Sequence, residues 1–265
     1  MLIKVTDQCT MMCPHCMDAA TPTGSMMNFS TFMEAIAFGI YIGERHFILS
    51  GGEPTENENL IDFCRWFDNA NVDDFGFSIV SNGMWLKDER KCKEVEEITN
   101  MRSFVAMQVF THKKWYKEYD YVVSHKEEYG KYNHVIVDID DTIHMQDLGR
   151  ARTNEDAQKE VELNPYFMSC LNASLMAHQS NDPLDFGVFM TLKKMFCKPS
   201  VDSLGTVRMS ESRFCPAVGN VNDDLFSDIW ERMRVFKPCG NCRQYNKFIQ
   251  SERPDIMMAK KVLGL

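Results

Sequence analysis

Short apolar runs and amphipathic stretches alternate through the first half of the chain, and a polar motif follows most of the runs. LIKVT (2–6) ends just before QCTMMCPHCM, and HFIL (46–49) leads at once into SGGEPT. FGFSIV (75–80) is followed by SNG, and HVIVDID (134–140) closes on acidic residues, with SFVAMQVF (103–110) a further strand between them. NFSTFMEAIAFGIYIGERH (28–46) places Phe29, Phe32, Met33, Ile36 and Ile40 at helical spacing, with Thr31 and Glu34 in capping-box order. NLIDFCRWFDNA and residues 87–99 read as further helices. Strands and helices alternating at about 30-residue intervals build parallel βα units, in a doubly wound sheet or a barrel. In both, chemistry gathers at the C-terminal ends of the strands. The cysteine cluster, Gly-Gly-Glu, Ser-Asn-Gly and the acidic strand end all fall there.

The rhythm breaks after LGRA (148–151). Residues 152–164 are polar, FMSCLNASLMAHQ (167–179) reads as a helix, and NDP (181–183) interrupts the chain. A region of short strands bearing cysteines begins near residue 190. The expected division is a first domain over 1–185 and a smaller one over 186–265.

Composition narrows the function classes. The chain has 265 residues, a formal charge of −9 and no basic excess to release counterions from a polyanion, so no nucleic-acid partner is expected. No apolar run approaches the roughly 18 residues of a membrane span, and MLIKVTDQC has no signal-peptide core. The expected location is cytoplasmic, where stable disulfides are rare. Ten cysteines there point to metal ligands. Three sit at the start (Cys9, Cys13, Cys16), four late (Cys197, Cys215, Cys239, Cys242) and three are scattered (Cys64, Cys92, Cys170). The scattered ones read as ordinary residues, Cys64 and Cys170 as small hydrophobes.

Cys9-x3-Cys13-x2-Cys16 offers three thiolates from one loop. A structural zinc site takes four ligands, and His15, lying between two of the cysteines, is poorly placed to be the fourth. A cubane iron–sulfur cluster can be held by three cysteines, leaving one iron open. The spacing resembles the signature of the radical S-adenosylmethionine (AdoMet) superfamily. That resemblance implies a partial (β/α)6 TIM-like barrel, a 4Fe–4S cluster on Cys9, Cys13 and Cys16, and AdoMet chelated to its open iron. His15 occupies the place of a residue that lies near the adenine.

LSGGEPT (49–55) resembles the family's Gly-Gly-Glu stretch, so Gly51, Gly52 and Glu53 are expected at the methionine amino group. Two glycines after a strand permit close backbone approach, and Glu53 offers an acceptor. Ser81 and Asn82 of VSNGMW (80–85) are expected to contact ribose hydroxyls; their alternative is a plain Asn-Gly bend. After the next strand, where family members often carry Ser-x-Asp, this chain reads Phe110, Thr111, His112. The contact to the AdoMet carboxylate stays unassigned, with Arg150 a candidate for a cofactor or substrate carboxylate.

Cys197-x17-Cys215-x23-Cys239-x2-Cys242 supplies four soft ligands, which suit zinc or a 4Fe–4S cluster. The surrounding FCKPSVDSLGTVRMSESRFCPAVGNVNDDLFSDIWE and KPCGNCRQ resemble the auxiliary-cluster extensions called twitch and SPASM. Four cysteines limit the chain to one auxiliary cluster, the twitch form. SES (210–212) stands where the hairpin turn usually has glycine.

The resemblance implies reductive cleavage of AdoMet to methionine and a 5′-deoxyadenosyl radical, hydrogen abstraction from substrate, and electron transfer to the auxiliary cluster, a net two-electron oxidation. An external one-electron donor such as flavodoxin or ferredoxin is implied. Asp138 and Asp140 share one face of their strand and are candidates to accept a substrate proton. The expected substrate is a small alcohol or sugar-like metabolite, favoured by a chain that opens directly on its first strand. A peptide-modifying maturase is the alternative. A non-catalytic iron–sulfur carrier has no need of SGGEP or SNG.

Overall fold

The computed structural model describes residues 1–70, 75–139, 149–159, 177–180, 182–186, 199–211, 213, 215–236, 252, 257 and 261. Strands β1 (Leu2–Thr6), β2 (His46–Gly51), β3 (Gly76–Ser81), β4 (Phe104–Thr111) and β5 (Val135–Ile139) alternate with helices α1 (Phe29–Tyr41), α2 (Leu60–Asn69), α3 (Glu89–Thr99), α4 (Tyr119–Ser124) and α5 (Lys126–Tyr129). After α6 (Glu155–Lys159) come β6 (Ser200–Val201), β7 (Thr206–Arg208), β8 (Ala217–Asn220) and α7 (Phe226–Arg234). One sheet of eight strands has the order β5-β4-β3-β2-β1-β6-β7-β8. β1 to β5 are parallel, with Leu2 opposite Ile48 and Phe47 opposite Phe77. These are the parallel βα units expected from the rhythm, arranged as the partial barrel that the family resemblance implies. Among the described residues the first five of its six expected strands are present.

Alternation along the strands sorts side chains into two layers. Ile3, Val5, Phe47, Leu49, Phe77, Ile79, Met107 and Val109 point to the helices and join Phe32, Ile36, Phe38, Phe63, Phe67, Val95 and Ile98 in one core. Phe32 and Phe63 stack at 4.2 Å between centroids. Each such fully buried side chain is worth about 1.5–3 kcal/mol against exposure. The other face is more polar: His46 Nε2 lies 3.0 Å from Ser78 Oγ, and Gln108 Nε2 donates to Asp138 Oδ2 at 2.8 Å.

The end of α1 nearest the site corrects one expectation. Asn28, not the Thr31–Glu34 pair, caps the helix: Asn28 Oδ1 accepts the Thr31 N–H at 2.8 Å. Phe29 and Ile40, assigned to the apolar face by spacing, are exposed, and Thr31, Ala35 and Gly39 share the buried face with Phe32, Ile36 and Phe38.

The extension continues the same sheet. β6 runs parallel to β1, and β7 and β8 return antiparallel. Gly205, at φ +85°, makes the turn before β7, where a Cβ would meet Asn222 Nδ2 at 2.4 Å. Ile229 and Trp230 of α7 are buried in the common core, and Phe226 meets Phe38 at 5.6 Å. Among the described residues no helix is long and apolar enough to cross a membrane.

Candidate functional site

The loop from Asp7 to Asn28 carries the three cysteines and is anchored on itself and on the sheet. Cys9 N–H donates to Thr21 O (2.9 Å), Thr21 N–H to Asp7 O (3.2 Å) and Met27 N–H to Val5 O (2.9 Å). Asn57 Nδ2 donates to Val5 O and Met27 O across the loop's two stems. Met12 and Ala19 take left-handed backbone conformations, at φ 48° and 50°. Such strain persists where surrounding bonds over-determine the backbone. Within the loop Cys9, Met11, Cys13 and Ala20 pack together, with Cys16, Met84 and Tyr116 against them.

The thiols are mutually aware. Burial pushes the Cys9 thiol up, and Cys16 and Glu53 add to the shift. Cys13 is pushed up to about 12 by burial, then by Cys9 and Cys16, with Arg150 opposing. Cys9 and Cys13, in this half-dry pocket, resist ionisation until a cation joins them. Among the described residues no three His, Cys, Asp or Glu side chains are spaced to hold a single ion. The donor set, three soft sulfurs from one loop, fits a cluster held by three cysteines.

β2 delivers the second motif by touching the first. Gly52 N–H donates to Thr6 O (2.7 Å) and Glu53 N–H to Gln8 O (2.8 Å). A Cβ on Gly51, which sits at φ +129°, would lie 2.1 Å from Thr6 O, and one on Gly52 2.1 Å from Gln8 O. The glycines thus allow close approach to the backbone that leads into the cysteine loop, a neighbour the sequence does not name.

Glu53 is fully buried, and burial raises its carboxyl above the ordinary range, against four stabilising donors. Oε1 accepts from Thr55 N–H (3.3 Å), Thr55 Oγ1 (2.8 Å) and Ser81 Oγ (2.9 Å); Oε2 accepts from Asn82 N–H (2.7 Å). Asn82 turns the chain, its Oδ1 accepting Met84 N–H at 2.8 Å, and its Nδ2 stands 3.8 Å from Cys9 Sγ. Gly83, at φ +82°, completes the bend expected of Asn-Gly. The structure therefore joins Cys9, Glu53, Ser81 and Asn82 in one place.

Arg150 reaches the same loop from behind. Its backbone N–H donates to Cys16 O (3.0 Å), Nε to Cys13 O (2.8 Å) and Nη1 to Ala20 O (2.7 Å). Gly149, at φ +55°, has no room for a Cβ, which would lie 2.3 Å from Cys16 O and Met17 O. Two side-chain donors of Arg150 are thus committed to loop carbonyls, a clamp that the sequence does not announce.

His15 lies among aromatics that the sequence did not single out, 4.9 Å from the Tyr116 ring and 6.1 Å from Trp115. Burial, then His112 and Arg150, lowers its imidazole to about 4, so the ring is neutral near pH 7, and its buried Nδ1 has no hydrogen-bond partner among the described residues. Thr111 Oγ1, at the end of β4, is likewise buried with no partner among the described residues. The only sequence signal for Trp115 and Tyr116 is the aromatic pair in KKWYKEY, directly after that strand.

Asp138 is half-buried and accepts from Gln108. Near the loop's far end, Lys4 forms a buried ion pair with Asp18. Glu211, in the SES segment, is raised to about 7 by burial, with Lys4 lowering and Asp18 raising it. Cys215 is half-buried, its carbonyl accepting from Arg208 Nε at 3.0 Å. Asp140, Cys197, Cys239 and Cys242 lie outside the described residues.

A partial α/β barrel with this loop after its first strand has the fold of the radical AdoMet enzymes. Among particular proteins, the chain is similar to BtrN crystallised with AdoMet and 2-DOIA: 15% identity, TM-score 0.55, covering 94% of this chain and 84% of that one. BtrN in an open conformation aligns over 91% and 90% of the two chains, at 17% identity and TM-score 0.51. Native anSMEcpe with bound AdoMet and the Cp18Cys peptide aligns over 87% and 79%, at 17% identity and TM-score 0.52. No protein-family model matches the sequence, and no curated protein matches it. At these identities the likeness carries the fold.

Proposed function

We propose that the protein is a radical AdoMet oxidoreductase that dehydrogenates a small alcohol or sugar-like substrate. The observation that carries this reading is the convergence of Cys9, Glu53 and Asn82, linked at 2.7 and 3.8 Å, beside Cys13 and Cys16. Cys9, Cys13 and Cys16 would hold a 4Fe–4S cluster. When bound, cluster and AdoMet together supply a 5′-deoxyadenosyl radical through one-electron reductive cleavage of AdoMet.

The chain's own groups orient and shield. Glu53, dehydrated and held by four hydrogen bonds, offers its remaining acceptor capacity to the AdoMet ammonium; a buried carboxylate gains most from an opposite charge. Gly51 and Gly52 bring that carboxylate up to the loop. Ser81 and Asn82 would lie at the ribose of bound AdoMet, and neutral His15 near its adenine. Arg150 holds the cysteine loop in shape, and its third side-chain nitrogen, Nη2, is the one left for a carboxylate. One of the pair Asp138 and Asp140 accepts the substrate's hydroxyl proton.

Cys197, Cys215, Cys239 and Cys242, in residues 186–265, would hold a second 4Fe–4S cluster, which would supply an acceptor for the electron left on the substrate. An external one-electron donor of flavodoxin or ferredoxin type, and a cytoplasmic location that keeps ten thiols reduced, belong to this reading. A peptide substrate is the second reading, favoured by the likeness to anSMEcpe, whose structure holds a peptide.

The test is anaerobic reconstitution with iron and sulfide, then AdoMet and dithionite. About eight irons per chain and release of 5′-deoxyadenosine are expected. About four irons plus one zinc contradicts the second cluster; two loaded clusters without AdoMet cleavage, even with candidate substrates, favour an electron carrier.

A further inference from the structure

The extension returns to the cysteine loop at the residue that opens it. Asp7, two positions before Cys9, donates its N–H to Ser25 O at 2.7 Å, and Ser25 Oγ donates to Asp7 Oδ2 at 2.9 Å, so the loop's entry and exit stems lie side by side. Ser203, only 3% exposed in the turn between β6 and β7, donates to the same Oδ2 at 3.1 Å and lies 2.6 Å from Ser25 Oγ. Arg213, two positions before Cys215, brings Nη1 to 3.7 Å from that oxygen. A second set of bonds runs from Cys215 to the same turn. Cys215 O accepts Arg208 Nε at 3.0 Å, Arg208 Nη1 pairs with Asp202 Oδ2, and Asp202 Oδ1 accepts the Leu204 and Thr206 N–H groups that shape the turn around Ser203. Pairing between β1 and β6 covers Leu2 and Ile3, at the far end of β1 from Asp7, so at the loop end the two parts meet through these side chains.

We propose that Asp7 is a positioning residue that couples the two cysteine groups, so that ligation at Cys215 steadies the loop of Cys9, Cys13 and Cys16. The inference rests on the reading of both groups as cluster sites. Cys215, once ligated, would fix the segment from Arg208 to itself. Two routes leave that segment, one through Arg213 and one through Arg208, Asp202 and Ser203, and both end on one carboxylate oxygen of Asp7. Asp7, Asp202 and Arg208 are only 13, 12 and 14% exposed, so removing one member leaves its partners with little water to replace it. Order imposed by one bound group lowers the entropy cost of ordering by the next, which makes the two sites fill cooperatively without a change of shape. The effect is mutual: a filled cysteine loop steadies the Cys215 segment to the same degree.

The experiment removes each end of the tie from the full reconstituted chain, alone and together: Cys215→Ala, Asp7→Ala and the double variant. Electron paramagnetic resonance follows the signal that changes when AdoMet is added, which belongs to the three-cysteine cluster, as it decays in EDTA. The expected decay is several-fold faster in each single variant than in wild type, and no faster in the double variant than in Asp7→Ala. Two independent destabilisations would instead multiply. A double variant whose acceleration is the product of the two overturns the coupling, and so does a Cys215→Ala decay equal to that of wild type; both leave the cluster reading intact. Should Asp7→Ala fail to load iron, Ser203→Ala cuts the tie from the extension's side and keeps the Asp7–Ser25 bonds. It then takes the place of Asp7→Ala, with a combined effect again smaller than the product, and a full product again overturns the coupling. A wild-type chain with no AdoMet-responsive signal, or Cys215→Ala with as much iron as wild type, overturns the cluster reading and the proposal with it.

Discussion

Glu53 and Asn82 leave different strands and meet through a 2.7 Å hydrogen bond from the Asn82 backbone N–H to Glu53 Oε2. The same asparagine places its side-chain amide 3.8 Å from Cys9 Sγ. Three strand ends are thereby tied together at a dry carboxylate and a thiol.

Replacing Glu53 by glutamine removes the charge and turns one acceptor into a donor that faces N–H and O–H groups. One of the Asn82, Thr55 or Ser81 bonds must be lost, costing about 1–3 kcal/mol for a buried unsatisfied group. Thermal unfolding should show that loss, and titration calorimetry on reconstituted protein should show AdoMet affinity down tenfold or more. Unchanged affinity would remove Glu53 from the cofactor site.

Gly52→Ala forces a methyl to within 2.1 Å of Gln8 O, a backbone atom that cannot swing away. Separating the strand ends breaks the Gly52–Thr6 and Glu53–Gln8 hydrogen bonds. The expected outcome is a chain destabilised by about 1–3 kcal/mol that retains less iron after gel filtration than wild type.

Arg150→Lys keeps the charge but cannot serve Cys13 O and Ala20 O with a planar fork. The cysteine loop should loosen, and loss of iron to a chelator should speed up several-fold, with little change in secondary structure by circular dichroism. Equal rates of iron loss in the two proteins contradict the clamp.

Glu211 gives the fold a pH dependence. Its carboxyl ionises near 4.5 in the unfolded chain and near 7 when folded, because burial and Asp18 outweigh Lys4. Between these values the unfolded chain releases a proton that the folded chain keeps, so stability falls as pH rises through that window. Glu211→Gln should be the more stable protein at pH 7.5, by up to about 3 kcal/mol at 1.4 kcal/mol per tenfold in proton affinity, and no more stable than wild type near pH 4.5. Melting curves at both pH values check this.

The parts of the site legible in the sequence are those fixed by local spacing. Cys9, Cys13 and Cys16 share a loop, and Gly-Gly-Glu and Ser-Asn follow strands, so position along the chain predicts position at the barrel's end. The strands themselves were readable because apolar alternation is set by the pleat. What sequence did not reveal depends on approach from afar. Arg150 contacts Cys13 and Ala20 only once the barrel forms, and Glu211 joins Lys4 and Asp18 only because β6 and β7 extend the sheet beyond β1. Tyr116 gave no signal beyond an aromatic pair, since nothing local says which way a turn will fold its ring. The cap of α1 was misplaced for a smaller reason: Asn28 and Thr31 can both cap, and the asparagine lies where the chain actually enters the helix.

Whether the cysteine loop performs AdoMet chemistry is tested most directly by quantifying 5′-deoxyadenosine from AdoMet under dithionite, in wild type and in the Cys9→Ala, Cys13→Ala, Cys16→Ala triple variant, each with its iron counted. The account predicts 5′-deoxyadenosine from wild type, none from the variant, and about four fewer irons per chain in the variant. Equal iron in the two proteins, or cleavage that survives loss of all three thiols, would contradict it.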